Sequence, residues 1–240
     1  MYNILLSLDT VFMEINYWNI ALISFLVTFL AEIYVKSIYS KYSKVDSGKG
    51  STGVDAASKI IKGEGFPVSI ETNQQPLGDH YDPSSATVRL SRENDTSTTV
   101  ANIAVVAHEF GHVQQKYSSS FVYNLRSFMV PVTNISTKIG YILIALGLLI
   151  NVLNLAEIGV ILFSASVIFS VITLPVEIDA SKRGMAFIKK YDLIADNNLS
   201  GAKKVLTAAA LTYCAGILSS LSNLLYYISI IGGRSNRRRR

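Results

Sequence analysis

Four stretches of this chain are too apolar, for too long, to fold in water as ordinary surface helices. Residues 139–155, 158–176 and 205–233 contain no Asp, Glu, Lys or Arg, and residues 17–35 contain one, Glu32, near their end. Crossing the hydrocarbon core of a bilayer takes about 20 mostly apolar residues. Inside that core each backbone N–H and C=O must be paired within its own segment, which selects helices. Tyr17 and Trp18 at one end of the first stretch, and Lys36 at the other, are residue types that anchor a span at its two interfaces. Charged residues make up 16% of the 240 positions and hydrophobic ones 50%, against about 25% charged in soluble domains. That balance excludes both an ordinary soluble globule and a disordered chain. The first residues, MYNILLSLDTVFMEI, lack the basic start and small-residue cleavage site of a signal peptide, so the first span reads as a retained anchor.

The second and third runs are separated by little more than NLAE, which predicts a tight helical hairpin. The last run has a small, polar middle around Gly216, Ser219 and Ser222. One long tilted helix packing through small residues explains it better than a re-entrant pair. Lys36, Lys41, Lys44 and Lys49 follow the first span, and Lys182, Arg183, Lys189, Lys190, Lys203 and Lys204 lie between the third and fourth. Basic loops stay on the cytoplasmic side, so both segments belong there, with the amino terminus outside. Four complete spans would carry Arg237 to Arg240 outward, against that rule. Such a tail is a solvated end or a contact with anionic lipid. The net charge of +5 therefore calls for no nucleic-acid partner; the expected partner of these segments is the bilayer. A single cysteine, Cys214, excludes an intrachain disulfide and a cysteine-cluster metal site.

Charge and turn residues concentrate between the first two spans. The chain thus divides into an amino-terminal segment and first span (1–35), a water-facing domain (36–120), a transmembrane hairpin (121–176), a further helix and loop (177–204), and a last span with its basic tail (205–240). Within the water-facing part, residues 51–65 have helical apolar spacing ended by Gly63 and Gly65. Residues 67–71 and 87–91 alternate as strands and are expected to pair as a small sheet that leans on a helix, with a turn over 73–79. Residues 98 to about 115 are helical, with Ser97 or Thr98 as the cap. The fold class is α+β, mostly α: transmembrane helices plus a small water-facing domain with a short sheet beside this last helix.

That helix reads AVVAHEFGHVQQ and contains the pattern H-E-x-x-H at His108, Glu109 and His112. Four residues are about one helical turn, so both imidazoles leave one face and each can give a nitrogen to a single Zn2+. Glu109, beside them, is placed to take a proton from attacking water and pass it to a leaving amine. The motif is embedded in an apolar stretch that buries its face, and the chain has only three histidines. Two residues compete for third ligand. Glu177, in LPVEIDASKRG, shares a helix face with the small residues Ala180, Ser181 and Gly184, which lets its helix pack close to the histidines. Pro175 suits the first turn of a helix, so a new helix is expected there. His80, in GDHYDP, is the other candidate, but the H-E-x-x-H-x-x-G-x-x-H spacing of three-histidine sites is absent after His112. Glu177 is preferred. His80 or Tyr81 then remains a candidate catalytic donor to the oxyanion, and Asp82 a candidate to orient a histidine. The alternative is a turn in which Asp79 or Asp82 caps local backbone.

The segments GDHYDP…VRLS, VVAHEFGHVQQ, LPVEIDASKRG and AAALTYCAGIL, together with residues 126–131, resemble the YugP-like neutral zinc metallopeptidases of prokaryotic membranes over most of the chain. The resemblance implies His108, His112 and Glu177 as zinc ligands and Glu109 as catalytic acid/base. The chain is also distantly similar to the HtpX-type membrane proteases, whose zinc glutamate lies in E-x-x-A-D. Here Glu177 begins E-x-x-A-S, so Ser181 stands where that pattern has aspartate, and the partner of one ligand histidine is unassigned. Asp179, two positions past Glu177, faces elsewhere. The reading is a multi-pass cell-membrane zinc metallopeptidase with its active site on the cytoplasmic side, and residues 87–91 as a strand edge for a peptide or protein substrate. The alternative is a non-catalytic membrane scaffold that keeps a structural zinc site.

Overall fold

The structure, a computed structural model, describes residues 2–76 and 78–238, with side chains over 18–76 and 78–234. In chain order it has α1 (Tyr2–Tyr42), α2 (Gly53–Glu64), β1 (Ser69–Asn73), β2 (His80–Asp82), β3 (Thr87–Ser91), α3 (Glu93–Thr96), α4 (Val100–Tyr117), α5 (Phe121–Leu149), α6 (Leu153–Lys190), a single 3-10 turn at Asp196–Asn198, and α7 (Leu199–Arg238). Among the described residues, four helices are long and apolar enough to cross a membrane: Trp18–Tyr42, Phe121–Leu149, Leu153–Lys190 and Asp196–Arg234. Large apolar side chains such as Phe25, Phe128 and Ile161 stand exposed on them, which suits lipid and not water. The protein is a membrane protein of the mostly helical α+β class.

The chain divides into two compact units. The first holds the residues up to Ala31, Leu125–Thr173, and those from Tyr213 on. In it α5 and α6 form the expected hairpin, turned at Asn151, whose φ of 61° is left-handed. The two helices cross at glycines: a Cβ at Gly140 would lie 2.8 Å from the Gly159 carbonyl oxygen. The last apolar run is one continuous helix, α7, with no break at its small residues. The expectation of a new helix at Pro175 is corrected, because α6 runs unbroken through that proline. Proline deletes one backbone donor, but its fixed φ is helical, so a long helix can continue across it.

The second unit comprises Glu32–Asn124 and Leu174–Thr212. α2 forms where its ends are capped. The Thr52 hydroxyl accepts from Asp55 N (3.2 Å), the Asp55 carboxylate accepts from Thr52 N (2.9 Å), and Gly65 closes the helix at φ 67°. This reciprocal capping satisfies donors a helix start otherwise leaves open. α2 buries Ala56, Ala57 and Ile60 in a core shared with Val88, Leu90, Ile103, Phe110 and Ile188. The expected small sheet forms, and within it β1 and β3 pair in parallel, with β3 central in the order β1-β3-β2. The connection between them is longer than the two to five residues of a hairpin loop. Its middle folds back as β2, antiparallel to β3 with Tyr81 opposite Val88.

A buried polar chain ties the approach to β2 onto α4. Asp79 Oδ1 accepts from Ser91 N (2.7 Å) and from Asn94 Nδ2 (2.6 Å), and Asn94 Oδ1 accepts from Asn102 Nδ2 (2.7 Å). Asn94 and Asn102 are almost wholly buried. Asp79 thus has a structural use within GDHYDP: it holds the short edge strand against the helix that bears the histidines.

Candidate metal centre

α4 is buried along Ile103, Ala104, Val106, Ala107 and Phe110, so its orientation is fixed by the apolar stretch around the motif. Its i, i+4 spacing stacks His108 and His112 edge to face, with ring centroids 4.8 Å apart. Glu177 arrives from α6. Its Oε2 lies 3.2 Å from His108 Nε2 and 3.5 Å from His112 Nε2. One ligand atom from each of the three residues falls within 4.8 Å of the others. The crossing of α4 and α6 makes this possible. A Cβ on Gly111 would run into the Ala180 carbonyl, and one on Gly184 would sit 3.0 Å from the Ala107 carbonyl oxygen. Two glycines, one on each helix, let the backbones meet with no side chain between them.

Glu109 points into the same region and is 8% exposed. Its Oε2 accepts a hydrogen bond from the Tyr81 backbone N–H at 2.9 Å. Burial pushes its carboxyl above the usual carboxylate range. Glu177 is 2% exposed, and among the described residues neither carboxylate has a Lys or Arg within ion-pair distance. A buried acid such as Glu109 with no fixed cation is costly to leave ionised, and the Oε2 of Glu177 faces the two imidazoles. Two imidazole nitrogens and a carboxylate oxygen beside them are a donor set that takes a divalent cation such as zinc and leaves a position open. The residues present fit the metal.

Around these residues lies a shell that the sequence did not reveal. Ser181 Oγ is 3.2 Å from His108 Nδ1, so the serine found where the related pattern has aspartate still reaches that imidazole. His112 Nδ1 is 2.9 Å from Gln115 Oε1. Gln115 Nε2 donates to the Val176 carbonyl and to Asp179 Oδ2, both at 2.8 Å, and Arg183 Nε donates to the same Asp179 oxygen at 2.7 Å. Asp179 does face away from His108, as its spacing predicts, yet it reaches His112 through Gln115. Gln115 stands at i+3 from His112 on one helix face, and that spacing was the only signal of its position.

The GDHYDP segment divides its residues differently from expectation. His80 is exposed at the start of β2, its Nδ1 2.8 Å from the Gly78 carbonyl, and it is not one of the three converging ligand residues. Tyr81 meets Glu109 through its backbone. Asp82 orients no histidine; its carboxylate takes hydrogen bonds from Arg89 Nη1, Ser84 N and Ser85 Oγ, each at 2.9 Å. The expectation that residues 87–91 offer an edge to substrate is corrected, since β3 is paired on both sides and β2 is the edge strand nearest Glu109.

A family model described as "Putative neutral zinc metallopeptidase" matches residues 17–232. "Putative membrane protease YugP" of Bacillus subtilis (strain 168) is 41% identical over 210 residues, covering 87% of this chain and 93% of the relative. No solved structure matches the chain.

Proposed function

Because the chain belongs to this family of neutral zinc metallopeptidases, we propose that it hydrolyses peptide bonds at the His108–Glu109–His112–Glu177 cluster. The observation that carries the reading is the meeting of three candidate ligand atoms within 4.8 Å beside the buried Glu109, which among the described residues has no Lys or Arg within ion-pair distance. His108 and His112 would hold the metal through their Nε2 atoms and Glu177 through a carboxylate oxygen. Zinc in such a site supplies Lewis acidity, making water nucleophilic near neutral pH and polarising the carbonyl. Glu109 takes the proton released as water oxygen adds to the scissile carbon. It returns that proton to the amide nitrogen as the C–N bond breaks, so the carboxylate ends as it began. The Tyr81 N–H holds one oxygen of Glu109 in place during both transfers. No side-chain nucleophile takes part, so no acyl-enzyme forms.

An extended peptide can pair with the free edge of β2, which brings its backbone alongside Glu109. The basic residues that follow the first span and precede the last support a site on the cytoplasmic side of the cell membrane. Membrane proteins and soluble peptides both suit such a site. The test uses purified full-length protein in detergent, its zinc content, and a peptide library. Wild type should cleave, while Glu109→Gln should retain zinc and lose about 10²–10⁴-fold in turnover. Cleavage unchanged by that substitution removes the mechanism. Zinc bound without turnover in wild type would favour the scaffold reading.

A further inference from the structure

Both ring nitrogens of His112 are engaged, and the partner of one decides what the other can do. Gln115 is 1% exposed, so its amide has no solvent to satisfy it and must be paired on both sides. Two acceptors, the Val176 carbonyl and the Asp179 carboxylate, lie at 2.8 Å on one side. An amide N–H2 has two protons to give and an amide oxygen has none. The NH2 group must therefore face those acceptors, and Oε1 must face His112 Nδ1, at 2.9 Å. An acceptor opposite Nδ1 requires that Nδ1 carry the proton. In the neutral ring the remaining nitrogen, Nε2, then presents a lone pair toward Glu177 Oε2, 3.5 Å away. An imidazole lone pair and a carboxylate oxygen facing each other are two acceptors with nothing shared, the arrangement a cation resolves.

We infer that Gln115 is a positioning residue that holds His112 as its Nδ1–H tautomer and so commits Nε2 to the metal. This rests on the proposed metal site. Asp179 and Arg183 are the anchor behind it: Arg183 holds Asp179 at 2.7 Å, and Asp179 holds the Gln115 amide against flipping. His108 is served differently, because its Nδ1 partner is the Ser181 hydroxyl, which can donate or accept and so selects no tautomer. The two ligands are thus oriented by neutral side chains of unequal discrimination, with His112 the pre-set one. Outer partners of this kind set ring orientation and ligand basicity at metal sites.

The experiment has two arms. In the first, metal-free full-length protein in detergent is labelled with heavy nitrogen at its three histidines. Long-range proton–nitrogen correlation then reads the tautomer of each neutral ring. His112 should show the proton on Nδ1 in wild type, and should lose that preference in Gln115→Met, which keeps the side-chain volume and removes the amide. An Nε2–H tautomer at His112 in wild type overturns the inference whatever the metal does. In the second arm, zinc affinity is measured by competition with a chelating dye. Gln115→Met should weaken binding about 10–100-fold in protein that still folds, its metal-free Tm lowered because the Val176 carbonyl and Asp179 lose their donor, while Gln114→Met, on the same helix, should leave affinity as it is. Affinity unmoved in Gln115→Met overturns the inference and leaves the metal site standing. Failure of wild type to bind zinc would remove the site itself, and the tautomer arm still decides the role of Gln115.

Discussion

Gly111 on α4 and Ala180 on α6 meet so closely that a single added carbon at Gly111 would clash with the Ala180 carbonyl oxygen. The three converging ligand residues depend on that contact, because His108 and His112 belong to one helix and Glu177 to the other. Gly111→Ala sets two effects against each other. Alanine favours the helix by about 0.8–1.0 kcal/mol, whereas forcing an atom into a packed crossing costs about 1–3 kcal/mol. The second should win, and it should win at the site: the variant is expected to bind zinc substoichiometrically and to melt lower. Metal analysis and thermal unfolding in detergent check this, and a variant with full zinc and a raised Tm would show that the helices can part without cost.

Removal of Glu177 should cost more than removal of any outer partner. Glu177→Gln keeps the size of the side chain and takes away the anionic ligand. Its zinc affinity should fall by more than the ~10–100-fold expected for loss of an outer hydrogen bond. Dye competition reads this directly.

Metal itself should stabilise the fold. Without it, Glu109 and Glu177 remain buried with, among the described residues, no Lys or Arg within ion-pair distance. Zinc at about one hundred times its Kd should add about 2.7 kcal/mol by linkage, and chelation should reverse the gain. A Tm indifferent to both treatments would contradict a specific site in the native state.

The polar chain from Asp79 through Asn94 to Asn102 holds β2, and with it the Tyr81 N–H, in place. Asn102→Leu leaves the buried Asn94 Oδ1 without its donor, at a cost of about 1–3 kcal/mol. Peptidase turnover should fall while zinc affinity changes little, since the ligands do not rest on β2. Parallel measurements of turnover and affinity separate the two.

Asp82 gives a pH signature away from the metal. The Arg89 guanidinium, then the Ser84 N–H and the Ser85 hydroxyl, hold its carboxyl well below the usual carboxylate range. A carboxyl with a lower pKa folded than unfolded stabilises the fold above its unfolded value, about 3.9, and the contribution fades as pH falls toward the folded one. Asp82→Asn should therefore lower Tm modestly at neutral pH, and its difference from wild type should shrink below about pH 4. A difference that persists undiminished in acid would assign the effect to packing.

Much of this was legible in the residues themselves. Uncharged length predicts the spanning helices, because lipid offers no partner to an unpaired backbone. The i, i+4 spacing puts His108 and His112 on one face, and the small residues after Glu177 foretell a close helix. Such signals are local: they depend on a few consecutive residues and on the period of the helix. Whatever depends on which elements pack together had to come from the tertiary structure. β1 and β3 look the same as strands whether they pair parallel or antiparallel. Nothing near Glu109 in the chain announces the Tyr81 N–H that arrives from β2, and nothing near Gln115 announces Val176 and Asp179 on α6. A hydrogen bond is directional and short, so its partner is chosen by the geometry with which α4, α6 and β2 settle against one another, and that geometry is the product of the whole buried core.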